Sequence, residues 1–352
     1  MQKQSIIGLD KQELTELLTS WGQKTFHVKQ IWQWIYFRGA KSFDEMTNLS
    51  KDLRQKLQEN FTLSRPKIVA EQISKDKTHK WLLEFDDGER VEMVYIPESD
   101  RGAVCISTQV GCAMGCKFCH TGSQKLTRNL TAGEIVLQFM VARDTYGEWP
   151  SPTDETRYLS NIVVMGMGEP LQNEENVIKA LNILSDGDGI AVSRRRITMS
   201  TCGIAPKICD VLEKTGVRLA VSLHASNDEI RNTLMPINKV YNIEQILKEA
   251  QKYQQKDGSR YITFEYLMLD GINDSTENAK ELIELLKKHK IRATFNLIPF
   301  NPWPGCDFKP STPQKVKAFA DLLNKAGFAA PVRVARGQDI LAACGQLKSA
   351  QK

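Results

Sequence analysis

The chain has 352 residues, 41% hydrophobic and 25% charged, enough apolar content for a large core and too much for wholesale disorder. No apolar run approaches the ~20 residues of a membrane span. The start, MQKQSIIGLDKQEL, has no apolar core behind a basic stretch, so no secretory signal, no membrane association and a cytoplasmic location are expected. The formal net charge of +5 sits entirely in residues 1–80, which hold 14 Lys/Arg against 9 Asp/Glu, whereas the remainder carries 33 of each. A basic segment beside a neutral one points to an acidic partner such as nucleic acid, with a merely solvated basic face as the alternative.

Taken in chain order, apolar spacing predicts helices over LDKQELTELLTSWG, VKQIWQWIYFRG and LSKDLRQKLQENF, the first capped by Asp10. Trp32, Trp34, Tyr36 and Phe37 read as the core of this small bundle rather than a base-stacking surface. KIVAEQIS, HKWLLEFDDGERVEMVYIP and GAVCISTQ read as strands, with Asp86, Asp87 and Gly88 forming a hairpin turn. SPTDET (151–156) reads as a surface insertion.

From about residue 102 strands alternate with amphipathic helices in six units. The strands are AVCIST, NIVVMG, RITMST, RLAVSLHA, YITFEYLML and ATFNLIPF, with a further short strand, PVRVAR, near the end. Continuous apolar strands separated by crossover helices imply a parallel sheet covered by helices. Six units are too few to close an eight-unit barrel, so the expected α/β fold is an open, partial (βα)6 barrel with a small helical N-terminal domain. A doubly wound sheet is the alternative. Either arrangement puts the chemistry at the C-terminal strand ends. No internal repeat or low-complexity tract is evident.

There are eight cysteines: Cys105, Cys112, Cys116, Cys119, Cys202, Cys209, Cys306 and Cys344. VGCAMGCKFCHTG crowds three of them into a Cys-x3-Cys-x2-Cys loop just after the first core strand. A [4Fe–4S] cluster normally takes four thiolates, so three leave one iron open to a ligand that is not protein. The alternative is a zinc site completed by His120 or a distant cysteine, although adjacent residues such as Cys119 and His120 rarely chelate one ion well. One unit later, VVMGMGEPL supplies Gly166, Gly168, Glu169 and Pro170. Glycines let backbone approach a ligand closely, and a carboxylate there can hold an ammonium group. A plain strand-to-helix turn would look similar.

The cysteine loop, with Phe118 before its third cysteine, resembles the signature of radical S-adenosylmethionine (SAM) enzymes. Together with Cys105, Cys344 and the tail RGQDILAACGQL, the chain resembles, over nearly its whole length, the adenine-C2 RNA methyltransferase family (RlmN) and its C8-methylating relatives (Cfr). The resemblance implies that Cys112, Cys116 and Cys119 hold a [4Fe–4S] cluster. It implies that Gly168, Glu169, Ser200, Ser222, Leu223, His224 and Asn301 contact SAM. Cys344 matches the cysteine that is methylated, Cys105 its disulfide partner, and Glu92 the proton acceptor. The implied substrates are an adenosine of 23S rRNA in the peptidyl-transferase centre and one in the tRNA anticodon loop. An external, flavodoxin-like electron donor and a monomeric state are also expected. The chain then divides into a basic RNA-binding accessory segment (1–80), a β-extension or linker (81–101), the radical SAM core (102–335) and a tail carrying Cys344 (336–352). Cys202, Cys209 and Cys306 match no catalytic role and are expected to be structural. Rival readings are a C8-methylating enzyme, a radical SAM enzyme acting on a small molecule or protein, and a zinc-stabilised, non-catalytic RNA-binding protein.

Overall fold

Asp10 opens the first helix as the sequence predicts. Its carboxylate accepts from the Glu13 N–H, and the Glu13 carboxylate accepts from the Asp10 N–H, closing a capping box on α1 (Lys11–Ser20). α2 (Phe26–Trp32) runs into a single wide turn over 33–37, and α3 (Lys51–Asn60) starts at the cap Ser50. β1 (Gln4–Ser5) and β2 (Phe61–Thr62) pair in parallel and tie the two ends of this bundle together. Trp32 and Tyr36 are buried in it, whereas Trp34 and Phe37 are half-buried. This computed structural model describes residues 3–99, 101–151, 157–256 and 261–348. Residues 152–156 of the predicted insertion SPTDET lie outside the described residues.

The chain next forms β3 (Lys67–Ile73), β4 (His79–Glu84), β5 (Arg90–Pro97) and β6 (Arg101–Cys105), with the predicted hairpin turn at Asp86–Gly88. A small antiparallel pair, β7 (Gln109–Val110) and β8 (Arg128–Asn129), flanks the cysteine loop. There follow β9 (Arg157–Val164), β10 (Ile197–Thr201), β11 (Arg218–Ser222), β12 (Ile262–Met268) and β13 (Ala293–Pro299). One nine-stranded sheet takes the order β13-β12-β11-β10-β9-β6-β5-β4-β3. Its six core strands, β6 and β9 to β13, are all parallel and follow one another in chain order. A doubly wound sheet would reverse its order at a switch point. None occurs, so the winding is that of a partial barrel.

β3, β4 and β5 extend this sheet antiparallel from β6. Residues 67–80, at the end of the basic N-terminal segment, are therefore mostly strand and belong to the sheet. The predicted strand PVRVAR is reduced to one isolated bridge, Val332 with Leu297 beside β13, with a second, Ala329 with Thr294, just before it. Pro331 has no N–H with which to continue a ladder.

The crossovers carry α4 (Ala132–Tyr146), α5 (Glu174–Ser185), α6 (Ile208–Thr215), α7 (Asp228–Leu234), α8 (Ile243–Lys256) and α9 (Thr276–Lys288), and α10 (Pro313–Lys325) follows β13. α7 has no counterpart in the predicted elements. From Ala132 to Arg143 every residue of α4 except Glu134 is buried, because the N-terminal segment covers the face turned away from the sheet. The contact is backbone to backbone: a Cβ on Gly133 would lie 2.1 Å from the Ile7 carbonyl oxygen. Lys11 bridges Asp186 (2.8 Å) and Asp188 (2.9 Å) beyond α5, and the Trp32 indole N–H also donates to Asp186. Bundle and barrel thus share one hydrophobic core. No helix among the described residues is long and apolar enough to cross a membrane.

Candidate active site

A cavity with an empty volume of about 980 Å³ opens at the C-terminal ends of the parallel strands. Cys112, Cys116, Cys119, Gly168, Glu169, Ser200, Ser222, His224 and Cys344 all line it, so elements spread over most of the chain converge here. Cys105, Leu223, Asn301 and Glu92 are not among its lining residues. Gly111 permits the turn into the cysteine loop, since its φ is +75° and a Cβ would meet the Lys125 carbonyl oxygen at 2.0 Å. The loop leans on α7 through the Lys117 N–H and the Leu234 carbonyl (3.0 Å), and on Trp303, whose indole N–H donates to the Phe118 carbonyl (2.9 Å).

Burial, reinforced by their mutual repulsion, pushes the Cys112 thiol up to about 12 and the Cys116 thiol well above its ordinary range, and burial raises Cys119 as well. These groups are thiolates only if a cation compensates them. Among the described residues no three His, Cys, Asp or Glu side chains converge as a lone metal ion requires, with ligands about 2.0–2.3 Å from one point. The His120 ring is committed elsewhere: it stacks on Trp303 (4.5 Å between centroids), and its Nδ1 lies 3.2 Å from the Gln346 carbonyl oxygen.

Glu169 is held from three sides. One carboxylate oxygen accepts from the Leu171 N–H (3.0 Å) and the Thr201 hydroxyl (2.7 Å), the other from the Cys202 N–H (2.7 Å). Burial still raises its pKa, so a cationic ligand would be welcome there. Gly168 (φ +99°) brings backbone so close to Gln109 that a Cβ would sit 2.5 Å from the Gln109 Cβ, and the Gln109 side chain accepts the Glu169 N–H (2.8 Å). His224 accepts the Leu267 N–H at Nδ1 (3.0 Å) and meets Phe118 edge-on; burial drives its pKa down to about 3, and the ring is neutral. Leu223 contributes backbone, its N–H donating to the Glu265 carbonyl (3.1 Å).

The tail is strapped over the cavity mouth. His120 N–H and the Thr121 hydroxyl donate to the Gly345 and Leu347 carbonyls (2.7 and 2.6 Å). The Gln346 amide donates to the Pro302 carbonyl (2.7 Å), and the Asn301 amide reaches the Cys344 carbonyl (3.4 Å). Cys344 remains accessible within the cavity, yet its enclosure and the nearby Glu265 carboxylate raise its thiol pKa. Cys105 is buried, which raises its thiol strongly, and Cys344 is close enough to add to the rise. Glu92 makes a 2.9 Å ion pair with Lys80 and accepts the Lys348 N–H (2.8 Å); burial raises its pKa and Lys80 pulls it back.

Several residues that the sequence does not single out complete the site. Cys202, expected to be only structural, lines the cavity, and its N–H holds Glu169. Glu265 also lines it, accepting from the Asn296 amide (2.7 Å). Arg231, wholly buried in α7, donates to the carbonyls of Cys202 (2.6 Å), Ser222 (3.1 Å) and Leu223 (3.1 Å), locking two strand ends beside Cys116. An arginine in the polar run NDEIRNTL carries no signal of that burial.

Residues 4–63 match the Ribosomal RNA large subunit methyltransferase N-terminal domain, and residues 106–286 match the Radical SAM superfamily. Relatives called Dual-specificity RNA methyltransferase RlmN, from Gluconobacter oxydans and Rhodospirillum rubrum, are 54% and 55% identical. The alignments cover 99% and 98% of this chain, and 86% and 80% of those proteins. A crystal structure of a radical SAM methyltransferase from Sphaerobacter thermophilus is 41% identical and superposes with a TM-score of 0.91, covering 99% of this chain and all of that one. The chain belongs to the RlmN family.

As an RlmN family member it is a radical SAM methyltransferase, and its cofactors are a [4Fe–4S] cluster and SAM. The donor set fits them. Three thiols from one loop line the cavity together with the buried Glu169 carboxylate and the backbone at Gly168.

Proposed function

We propose that the chain methylates carbon 2 of adenosine in 23S rRNA and in tRNA, with Cys344 as the methyl carrier. The observation that carries this reading is the presence of Cys344, from the far end of the chain, in the same cavity as the three-cysteine loop. The names of the curated relatives support an RNA substrate of more than one kind.

Carbon 2 lies between two ring nitrogens, is electron-poor, and does not attack a sulfonium methyl as a nucleophile. A thiolate does. Cys112, Cys116 and Cys119 are the proposed cluster ligands; Gly168, Glu169, Ser200, Ser222, Leu223, His224 and Asn301 are the proposed SAM contacts. Bound together, cluster and SAM supply one-electron chemistry that removes hydrogen from a methyl group on Cys344. The Cys344 methylene carbon then bonds to C2. Once the adduct has lost the C2 proton and an electron, the latter returning to the oxidised cluster, the Cys105 thiol gives up its proton and attacks the Cys344 sulfur. The S–CH2 bond breaks, a disulfide forms, and the released carbon takes up a proton to become the methyl group. Glu92 is the proposed proton acceptor. The basic segment 1–80 is proposed to grip phosphate, and the base must be flipped out of its stack to enter the cavity. A reduced flavodoxin-like protein is the proposed electron source and a monomer the proposed working state.

The test is anaerobic reaction with RNA followed by digestion and mass spectrometry against authentic 2-methyl- and 8-methyladenosine. Only the 2-methyl isomer is expected; the 8-methyl isomer would move the chain to the C8-methylating reading. Alanine at Cys112, Cys116 or Cys119 should abolish iron binding and methylation. Cys344→Ala should keep the cluster and make no methylated RNA. Cys105→Ala should accumulate RNA covalently attached to protein, and the Cys105→Ala/Cys344→Ala double variant should not. Normal turnover by Cys105→Ala would refute the disulfide step.

A further inference from the structure

The turn between β3 and β4 lies far in sequence from the tail that carries Cys344 and outside the cavity wall, yet it grips that tail. It is itself tightly built: Ser74 is buried, its N–H donates to the Thr78 carbonyl (2.8 Å), and Lys77 adopts a φ of +67°. Asp76 uses both carboxylate oxygens, one accepting the Thr78 N–H (2.9 Å) and the other the Gly337 N–H (3.0 Å). From the tail side, Asp339 accepts the Ser74 hydroxyl and the Lys75 N–H (3.3 Å). The two aspartates thus reach across in opposite directions.

Gly337 makes the approach possible. Its φ is +61°, and a Cβ there would lie 2.8 Å from both the Thr78 methyl and the Ala342 Cβ. The tail folds back at once: the Ala342 N–H donates to the Gly337 carbonyl (2.9 Å), and the Gln338 amide donates to Asn301 (2.9 Å), which in turn reaches the Cys344 carbonyl. The grip at Gly337 and Asp339 is therefore transmitted to Cys344 through a short, internally bonded loop. Partial burial opposes ionisation of Asp76, but the hydrogen bonds from Thr78, Gly337 and Ser74 outweigh it and hold its carboxyl at about 2, so the clasp is charged at neutral pH.

We propose that the β3–β4 turn is a clasp that sets the position of the methyl-accepting thiol, with Ser74, Asp76 and Asp339 as positioning residues that act through the loop bearing Cys344. The proposal rests on the reading of Cys344 as methyl carrier. It gives the antiparallel extension of the barrel a part in the reaction, since the sheet's outer hairpin holds one end of the strap and the cysteine loop the other.

Hydrogen exchange of the cluster-loaded enzyme, kept anaerobic and read by mass spectrometry, tests the clasp directly. Asp76→Ala and Asp339→Ala should each speed exchange in the peptide spanning 337–348 by about tenfold or more, the effect expected for losing a hydrogen bond to a charged acceptor. Peptides from β4 and β6 should exchange as in the parent. Should Asp76→Ala also loosen β4, Asp339→Ala, which leaves the turn intact, decides. Ser74→Ala should behave like the aspartate variants and Ser74→Thr, which keeps the hydroxyl, like the parent. The same variants should acquire methyl on Cys344 more slowly while still cleaving SAM to 5′-deoxyadenosine. Unchanged exchange of the tail in Asp339→Ala would overturn the clasp, as would a loosened tail with unaltered methylation of Cys344. Absence of any methyl on Cys344 in the parent enzyme would instead refute the carrier reading, and the exchange data would still report on the clasp.

Discussion

Burial sets the protonation of three histidines, His79, His120 and His224, each of which it pushes below its ordinary value. His79 opens β4. Its ring stacks on Trp81 (3.7 Å) and its Nδ1 lies 3.1 Å from the Tyr146 hydroxyl, while Glu71 pulls the other way without reversing the shift. A histidine with a depressed folded pKa lets the unfolded chain bind more protons, so its contribution is present above about pH 6.5 and fades as pH falls below that. Denaturant midpoints measured at pH 7.5 and 5.5 should therefore drop less in His79→Gln than in the parent. For readings made from the residues alone, without the family resemblance, legibility at this scale followed sequence distance. Cys112, Cys116 and Cys119 could be read because one loop holds all three. Asp76 could not, because its partner Gly337 is 261 residues away. Arg231 could not either, because its role is to bond carbonyls, which leave no trace in side-chain identity.

α4 is the element on which both halves of the molecule rest. Its second residue, Gly133, admits the backbone of Ile7 and Gly8, so Gly133→Val should wedge the N-terminal segment outward. The expected cost is about 1–3 kcal/mol, the usual range for overpacking. Gly187, where a Cβ would meet nothing within 4 Å, is the control: Gly187→Ala should leave the melting temperature nearly unchanged. The six core units were legible because continuous apolar strands and amphipathic helices have different periods. Other features were not. α7 offers only Ile230 and Leu234 as apolar residues in seven, too few to display a helical face. The attachment of β3, β4 and β5 to the edge of β6 depends on pairing between strands, which alternation along one strand does not encode.

For the whole molecule, most of the Lys and Arg of residues 1–80 sit on a bundle that cannot be removed cleanly. Ile6, Trp32 and Tyr36 belong to the core shared with the barrel, so truncation would strip α4 of its cover. Point substitutions test the RNA grip better. Lys24, Arg38 and Lys51 are exposed on the bundle, and the Arg38 guanidinium lies over the Trp34 ring at 4.7 Å, a face that can stack as well as attract. Replacing all three by Gln should weaken RNA binding. The slope of log affinity against log salt should fall by about 0.7–0.9 for each phosphate no longer neutralised, with iron content unaltered. An unchanged slope would place the grip elsewhere.

The junction at α4 also orders events during biosynthesis. Residues 3–62 leave the ribosome before the surfaces they need: Gly133 on α4 and Asp186 and Asp188 beyond α5 are translated about 70 to 130 residues later. At ~5–20 residues per second, the amphipathic bundle waits roughly 3 to 26 seconds with its apolar face uncovered. A pulse of protease on stalled nascent chains should cut the bundle readily when translation stops near residue 130 and spare it once about residue 190 has emerged. The bundle is thus secured well after it is made, and its exposure to chaperones or aggregation is set by translation speed rather than by its own stability.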